Sequence, residues 1–254
     1  MFDNLKNTVD FFLRNKIRFS RKNYFEPSES KSDLQLSKDE EELEKILVDK
    51  YGLMEYRENS TIIGYLQNLY TLYFLDKYLS PELSDSLSVL DIGSKNWFYA
   101  KSEYSFFKRY SDKLYLDGVE IDAYRLYSNF YNRYEVAKFY IKDLENTSYI
   151  PDNLLNINKR YDYIIWILPF VIIQPHRFWG LPDKYFYPKK LFEHAYSLLK
   201  PGGTMLIINQ GQDEAEEQRN IIGERSFEVF KLDSIFYKYK NERFLYRIIK
   251  GGEL

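Results

Sequence analysis

The 254-residue sequence contains no cysteine, two histidines and few glycines or prolines. Without cysteine it cannot form a disulfide, a thiolate nucleophile or a cysteine-ligated zinc site, and two histidines are few for a histidine metal site. We therefore expect no metal. Its 11 glycines and 8 prolines make up about 7% of the chain, against roughly 12% in an average protein, which excludes collagen-like and Pro/Gly-rich disordered chains.

Strong charge bias and long apolar runs are also absent. With 36 basic and 38 acidic residues the formal net charge is -2, so no overall field attracts nucleic acid. The longest apolar run, from Tyr163 to Ile173, is too short to span a bilayer. The first four residues do not begin a basic segment followed by an apolar one, so we expect no secretory signal. These features predict a soluble, cytoplasmic protein.

Aromatic residues are abundant: 25 tyrosines, 19 phenylalanines and 3 tryptophans provide enough bulky surface for a sizeable core. The length fits one main domain with an extension.

The first 24 residues are basic and are followed by an acidic stretch. Apolar residues recur at helical spacing there, and these are Phe2, Leu5, Val9 and Phe12. Two interpretations stay open for residues 1–24. The helix packs on its own domain, or it forms an arm that binds an acidic partner or a membrane surface.

Further helices are predicted before residue 80. Ser37 and Glu40 have the spacing of a capping box, and Gly52 is suited to end the helix that follows. A second apolar stripe runs from Ile62 to Tyr73 and stops before Pro81. We therefore predict a helical extension or cap over residues 1–80 and a second domain over residues 81–254.

From about residue 86 short apolar runs alternate with helical stretches, a pattern typical of a parallel sheet covered by helices. The predicted helices are 97–110, 123–133, 188–199 and 213–224. The predicted parallel strands are 87–92, 114–121, 138–142, 162–168 and 203–209. Two final runs, 227–232 and 243–249, are spaced like an antiparallel pair.

The first strand leads into a loop that reads Asp91-Ile-Gly93-Ser94-Lys95-Asn96-Trp97. It resembles motif I of class I S-adenosylmethionine (SAM)-dependent methyltransferases, an acid followed by three alternating glycines. Lys95 and Trp97 stand at the second and third glycine positions, so Trp97 must turn away from the ligand or form a wall. The resemblance implies SAM as cofactor and contacts from Asp91, Gly93, Ser94 and Asn96. Alternatively, Asp91 caps the next helix.

Two later acids extend the resemblance. Glu120, at the end of the second strand and followed by Ile121, corresponds to the family's ribose-binding carboxylate; otherwise it is a solvated strand-end acid. Nicotinamide enzymes also place an acid after their glycine turn, but they need glycines that approach a pyrophosphate. Asp143, after the predicted strand 138–142, resembles the family's acid beside the adenine amino group, and a helix cap is the alternative.

The remaining motifs lie in the second half. Leu168, Pro169 and Phe170 follow the fourth strand and resemble the loop that faces both methyl donor and acceptor. Lys200-Pro201-Gly202-Gly203 resembles the family's turn before the fifth strand, where we expect the glycines to end a helix. The resemblance spans residues 86–250. It implies a Rossmann-like α/β fold: a seven-stranded, mostly parallel sheet with an antiparallel last strand and helices on both faces.

Acceptor residues are expected after strands four and five. His176, in the loop after strand four, is a candidate general base because its ordinary pKa suits proton transfer near neutral pH. Hydrogen bonding within the loop is the alternative. Trp179, in the same loop, is a candidate contact to the acceptor, as are Pro169 and Phe170. Asn209 and Gln210 follow strand five, and their amides can bind an acceptor.

The sequence therefore predicts a SAM-dependent methyltransferase acting on an unidentified, small-molecule acceptor. The alternative is a methyltransferase-like binding or scaffold protein whose altered loop no longer holds cofactor. A nicotinamide-dependent oxidoreductase ranks third because the pyrophosphate glycines are missing.

Overall fold

The computed structural model describes residues 2–18, 21, 23–32 and 34–251. Its helices are α1 (Phe2–Lys16), α2 (Lys38–Tyr51), α3 (Met54–Asn59), α4 (Ile62–Tyr78), α5 (Ala100–Lys108), α6 (Arg133–Ile141), α7 (Ile173–Phe178), α8 (Pro188–Leu198) and α9 (Gly211–Ile222). Its strands are β1 (Ser86–Ile92), β2 (Lys113–Val119), β3 (Thr147–Ile150), β4 (Tyr161–Ile167), β5 (Leu199–Gln210), β6 (Glu228–Leu232) and β7 (Arg243–Ile249).

The strands form one seven-stranded sheet in the order β3-β2-β1-β4-β5-β7-β6. The first five are parallel, whereas β7 runs antiparallel to both β5 and β6. Ile92, the last residue of β1, pairs with Val119 of β2 and with Trp166 of β4. The loops after β1, β2 and β4 therefore open at the same edge of the sheet. The predicted sheet, with its antiparallel last pair, is confirmed.

Hydrophobic side chains cover both faces of this sheet. On one face, α2, α4 and α5 form a continuous buried cluster with the strands, in which Leu69 and Phe106 are fully enclosed. On the other face, α8 and α9 pack through residues such as Phe192 and Ile222. Helix α4 is buried around nearly its whole circumference rather than along one stripe. A helix that is apolar on all sides belongs in an interior.

The predicted ends of α2 are confirmed. The Ser37 side chain accepts a hydrogen bond from the backbone N–H of Glu40, whose carboxylate accepts from the Ser37 N–H, and Gly52 closes the helix in the left-handed conformation. The glycine turn before β5 differs from the prediction. Helix α8 ends at Leu198, and residues 201–203 already lie in β5, where Gly202 donates to the carbonyl of Lys250.

Two predicted elements are wrong. Residues 123–132 form turns instead of a helix, and residues 138–141 form the end of α6 instead of a strand. Asn132 and Glu135 form a capping box that starts α6 about ten residues later than predicted. The third strand then follows at Thr147–Ile150. The apolar run Phe139-Tyr140-Ile141 fits either element type by pattern alone, and helix propagation from the cap decides its structure.

Helix α1 packs on the rest of the chain through a mainly polar face. The Asn7 amide donates to the Arg177 carbonyl (2.9 Å), and Arg14 pairs with the buried Asp122 (2.5 Å). Phe11 is the buried apolar residue of this face. The predicted apolar positions Phe2, Leu5, Val9 and Phe12 are exposed on the opposite face.

Some residues of the charged N-terminal segments, Lys22 and Asp33 among them, lie outside the described residues. Within residues 2–18, 21, 23–32 and 34–251, every helix is too short or too polar to cross a bilayer.

Candidate cofactor and acceptor site

A cavity of about 560 Å³ opens at the carboxyl edge of the sheet. This volume is in the range of small-molecule sites. One end lies beside Gly93 and Glu120, and the cavity continues past the loop after β4 to Gln210 and Arg243. Helix α4 closes it from above with side chains that include Tyr70 and Phe74. The cavity is therefore a trough that follows the strand ends from β3 to β7.

The loop after β1 reproduces in its backbone what glycines provide in motif I. Gly93, Lys95 and Trp97 all have positive φ angles, 71°, 55° and 44°. These are the three alternating positions of the family's glycines, and side chains other than glycine rarely adopt this region. A Cβ built on Gly93 would meet no atom within 4 Å, so the loop leaves open space beside that residue. Gly93 and Lys95 both line the cavity.

Trp97 points away from the cavity and is fully buried beneath the loop. Its indole N–H donates to Glu103 (2.8 Å), and its ring lies against Gly118 of β2. Of the two possibilities that the sequence left open for Trp97, turning away or forming a wall, the structure has the first. The Lys95 ammonium instead lies 5.1 Å from the ring of Trp179, which also lines the cavity.

Asp91 lies below the cavity floor and does not line it. Its carboxylate accepts hydrogen bonds from the hydroxyl of Tyr99 (3.1 and 3.2 Å), so it does not cap α5. Burial and the neighbouring Glu103 carboxyl raise the pKa of Asp91 well above its usual range. Burial also raises the pKa of Glu103 to about 7. The two side chains form a buried carboxyl pair under the loop, reaching the cavity only through Tyr99.

Glu120 is the carboxylate that the cavity presents beside Gly93. It is 7% exposed, which excludes a solvated strand-end acid. One oxygen accepts from the backbone N–H of Lys95 (2.9 Å) and the other from that of Asp122 (2.7 Å). Arg133 lies 3.6 Å away. Glu120 thus joins the loop after β1 to the end of β2, and each oxygen keeps a second acceptor position. Ile121, beside it, lines the cavity.

The prediction of Asp143 as an adenine contact has to be corrected. Because residues 138–141 are helical, Asp143 follows α6, and its side chain is 84% exposed and absent from the cavity wall. The residues that follow β3 there are Asp152 and Asn153, both of which line the cavity. Asp152 accepts from the N–H of Asn153 (2.6 Å) and the amide of Asn156 (2.7 Å). A carboxylate after strand three is present, nine residues beyond the predicted one.

Two predicted cofactor contacts, Ser94 and Asn96, lie in the loop but outside the cavity wall. The Ser94 hydroxyl and the Asn96 side-chain oxygen are buried without a hydrogen-bond partner among the described residues. Their backbone belongs to the turn in which the Trp97 N–H donates to the Ser94 carbonyl (2.7 Å). The structure therefore places neither Ser94 nor Asn96 in the cavity wall, whereas their neighbours Gly93 and Lys95 line it.

The loop after β4 lines the middle of the cavity with Leu168, Pro169 and Phe170, as predicted for a segment between donor and acceptor. Leu168 has a positive φ of 59°, and its N–H donates to the carbonyl of Ile208 on β5 (2.7 Å). This bond fixes the point where the chain leaves β4.

His176 lies on the short helix α7 and not in a loop. It lines the cavity, yet it is 2% exposed, and its Nε2 lies 2.9 Å from the carbonyl oxygen of Pro182. Its ring contacts Phe170 and Phe186 edgewise, at centroid distances of 5.7 and 5.3 Å. Burial lowers the pKa of His176, so the neutral ring is favoured near pH 7.

Only one of the two predicted amides after β5 lines the cavity. Gln210 does, whereas Asn209 is fully buried on the other side of the strand, because successive side chains point to opposite faces. Glu214, which the sequence analysis did not single out, also lines the cavity and accepts from the Gln210 N–H (3.2 Å). Burial raises the pKa of Glu214.

Comparisons with solved structures agree with this architecture. A protein assigned as a class I SAM-dependent methyltransferase from Listeria monocytogenes matches with a TM-score of 0.50 and 17% identity, covering 84% of this chain and 68% of that one. A SAM-dependent methyltransferase from Aquifex aeolicus matches with a TM-score of 0.48, 15% identity and coverages of 70% and 88%. Magnesium protoporphyrin IX methyltransferase from Synechocystis, solved with S-adenosylhomocysteine (SAH), matches with a TM-score of 0.47 and 12% identity. The match covers 74% of this chain and 84% of that one.

The sequence itself matches no protein-family model and no curated protein. At these identities the structural matches establish the fold, and the Listeria match carries that conclusion. The chain has the Rossmann-like fold of class I SAM-dependent methyltransferases, as the sequence motifs implied.

Proposed function

We propose that this protein transfers a methyl group from SAM to a small-molecule acceptor. The observation that carries the proposal is the pairing of Gly93 and Glu120 in one cavity, at the ends of adjacent strands of this fold. The open space beside Gly93 and the fixed carboxylate of Glu120 fit a nucleoside with a sugar that offers two hydroxyl groups. Asp152 and Asn153 supply polar groups for the base at the β3 end.

When bound, SAM supplies an electrophilic methyl group on a sulfonium centre. The chain's own task is to orient the two reactants and keep water away, because well-aligned reactants need little further chemistry from a protein. Glu120 accepts hydrogen bonds from the sugar through its free lone-pair positions. Leu168 and Phe170 provide an apolar wall in the middle of the cavity, where the methyl group would pass.

His176 is the proposed base for acceptors that must lose a proton. Since the Pro182 carbonyl can only accept, the neutral ring carries its hydrogen on Nε2 and leaves Nδ1 to take a proton. We expect His176→Gln to lower kcat with little change in the affinity for SAH. An unchanged turnover would restrict His176 to the packing role that its aromatic neighbours also support.

The scaffold alternative rested on Lys95 and Trp97, and it loses its main support. Trp97 leaves the cavity free, and Lys95 holds the same backbone region that a glycine would. The nicotinamide alternative is not supported either, because the loop after β1 has no second glycine beside Gly93 that would let the backbone approach a pyrophosphate.

Calorimetric titration with SAM, SAH and NADH tests the proposal. We expect the wild type to bind SAM and SAH but not NADH, and Glu120→Gln to weaken SAH binding roughly 10- to 150-fold, because an amide nitrogen cannot accept hydrogen bonds. Glu145→Gln, an exposed control beside β3, should bind SAH like the wild type. Absence of SAM and SAH binding, or an unaffected Glu120→Gln variant, would refute the proposed site.

A further inference from the structure

The far end of the cavity contains a half-buried arginine whose guanidinium forms no ion pair with the described residues. Arg243, the first residue of β7, pairs in register with Gln210 and lines the cavity. Its guanidinium lies over the ring of Tyr239, 4.3 Å from the centroid. Its Nε is buried without a hydrogen-bond acceptor, and among the described residues it forms no ion pair. A buried cation that lacks a partner is costly unless a ligand supplies one.

Glu214, the acid at the same end of the cavity, does not form an ion pair with Arg243. Glu214 lines the same end of the cavity, but its oxygens accept from the N–H and the side-chain amide of Gln210, and it lies beyond ion-pair distance of Arg243. Burial lowers the pKa of Arg243 and outweighs the opposing effect of Glu214. The end of the cavity therefore offers planar N–H donors suited to a carboxylate or phosphate.

This end is separate from the proposed cofactor end. The strand order places β7 four strands from β2, which at about 4.8 Å per strand is roughly 19 Å. Around Arg243 the walls are aromatic: Tyr239 packs on Tyr70 of α4 at a centroid distance of 5.0 Å, and Phe74 and Tyr237 line the same region. Such walls favour a flat, apolar body next to the anionic group.

We propose that Arg243 binds an anionic group, carboxylate or phosphate, of a small acceptor whose flat body packs against Tyr70 and Tyr239. The inference rests on the proposed function, because it assigns the acceptor of that same site.

Matched aromatic probes test it on SAH-saturated protein. Benzoate and benzamide share one shape and differ in charge, and phenyl phosphate separates phosphate from carboxylate recognition. We expect the wild type to bind at least one of the anions with a millimolar Kd and to bind benzamide at least 10-fold more weakly. Arg243→Gln should weaken anion binding roughly 10- to 150-fold. Arg247→Gln, on the same strand but outside the cavity, should not.

The outcomes separate this inference from the proposed function. Binding of benzamide as tight as that of the better-bound anion, no binding of either anion, or unchanged anion binding in Arg243→Gln would overturn the role of Arg243. Loss of SAH binding in the wild type would refute the proposed function instead, because that titration is made first and without the probes. Arg243→Gln should bind SAH like the wild type.

A different observation carries a second inference, on the surface of α1. Its outward side, together with the residue that follows the helix, carries six exposed apolar side chains that we call the α1 outer face: Phe2, Leu5, Val9, Phe12, Leu13 and Ile17. Phe2 is 89% and Phe12 58% exposed. Asn7 and Arg14 instead face the protein, so part of the polar side of the helix is turned inward while its apolar side is exposed. An apolar patch of this kind marks an interaction surface.

The charges beside this face favour an anionic bilayer. Lys6, Lys16, Arg18 and Arg21 are not paired with acids among the described residues, whereas Arg14 is neutralised by Asp122. The exposed acids of the helix are Asp3 and Asp10, which leaves an excess of positive charge. Helices that combine an apolar face with basic residues lie in the interface of membranes that contain anionic lipid. We infer that the α1 outer face inserts into such an interface.

Vesicle co-sedimentation tests this surface. We expect the wild type to bind phosphatidylcholine vesicles containing about 30% phosphatidylglycerol, to bind pure phosphatidylcholine several-fold less, and to lose much of the difference in high salt. Leu5→Gln/Phe12→Gln should lower the partition coefficient roughly 10-fold or more, because two apolar side chains no longer insert. Leu83→Gln/Val229→Gln, which removes exposed apolar residues elsewhere, should not.

Light scattering of the same proteins tests the other possible occupant of this surface, a second copy of the chain. A wild-type dimer that the Leu5→Gln/Phe12→Gln variant abolishes would assign the α1 outer face to a second copy of the chain and overturn the membrane inference. Failure to bind anionic vesicles, or equal binding by that variant, would overturn it as well.

Discussion

The indole of Trp97 lies flat against Gly118, so that a Cβ on Gly118 would come within 2.8 Å of the ring. The absence of a side chain at Gly118, the second-last residue of β2, makes room for a tryptophan under the loop after β1. The indole cannot easily retreat, since it is fully buried and its N–H is bonded to Glu103. A glycine outside motif I thereby compensates for a tryptophan inside it.

Gly118→Ala should therefore destabilise the protein. The added methyl group must displace the ring or bend β2, and overpacking of this kind costs about 1–3 kcal/mol of the free energy of unfolding. Urea denaturation measures the change. Gly251→Ala, where a Cβ meets no atom within 4 Å, is the control and should be close to neutral. Equal stability of the Gly118→Ala variant and the wild type would contradict the packing described here.

Lys95 allows a test of backbone strain with two substitutions at one position. Its φ of 55° favours glycine, so Lys95→Gly should be more stable than Lys95→Ala by about 1 kcal/mol, although both lose the ammonium near Trp179. At Lys138, exposed in the middle of α6, the order should reverse, because alanine is the better helix former. The same order at both positions would show that Lys95 is not held in the left-handed region.

The buried carboxyl pair predicts a pH dependence of stability. Burial raises the pKa of Glu103 from 4.5 to about 7, so the folded state holds a proton that the unfolded state releases. The resulting stabilisation is complete below pH 4.5, falls between pH 4.5 and 7, and is lost above pH 7. Its full size is about 3 kcal/mol.

Glu103→Gln removes this titration and keeps an oxygen for the Trp97 N–H. We expect the wild type to lose stability relative to this variant as pH rises from about 4.5 to 7, measured by denaturation at several pH values. If the difference in stability between the wild type and Glu103→Gln stays constant across that range, the pKa of Glu103 is not raised in the folded protein.

The corrected position of the third strand gives a paired prediction. Asp152→Ala should weaken SAH binding by roughly 10-fold, because the carboxylate lines the β3 end of the cavity, whereas Asp143→Ala should have no effect, because that side chain is exposed beyond α6. Calorimetry on both variants measures this. The opposite pattern would restore the sequence-based assignment and contradict the position of β3.

Local signals predicted much of this fold. The capping pair Ser37 and Glu40 fixed the start of α2, and the apolar run before Gly93 fixed β1, because each signal lies within a few residues of the structure that it determines. The prediction of a strand at 138–142 was wrong for the opposite reason. The apolar run there suits a strand, and the decisive information, the capping box at Asn132 and Glu135, lies upstream.

The far end of the cavity, around Arg243, was predicted least well. Tyr70 and Arg243 are 173 positions apart in the sequence and meet through Tyr239 only because α4 lies over the sheet edge that contains β7. No spacing rule connects such residues. The end beside Gly93 and Glu120, in contrast, depends on loops that directly follow strands, and there the resemblance to the family's motifs pointed to both residues.

Helix α4 is both a piece of the interior and a wall of the cavity, and this has a practical consequence for fragment design. A truncated protein that starts at β1 would uncover the faces that Leu69, Leu72 and Phe74 now seal. Such a fragment would aggregate even though it retained every strand of the sheet. Work on a minimal version of this protein should therefore trim the chain no further than the residues ahead of α2.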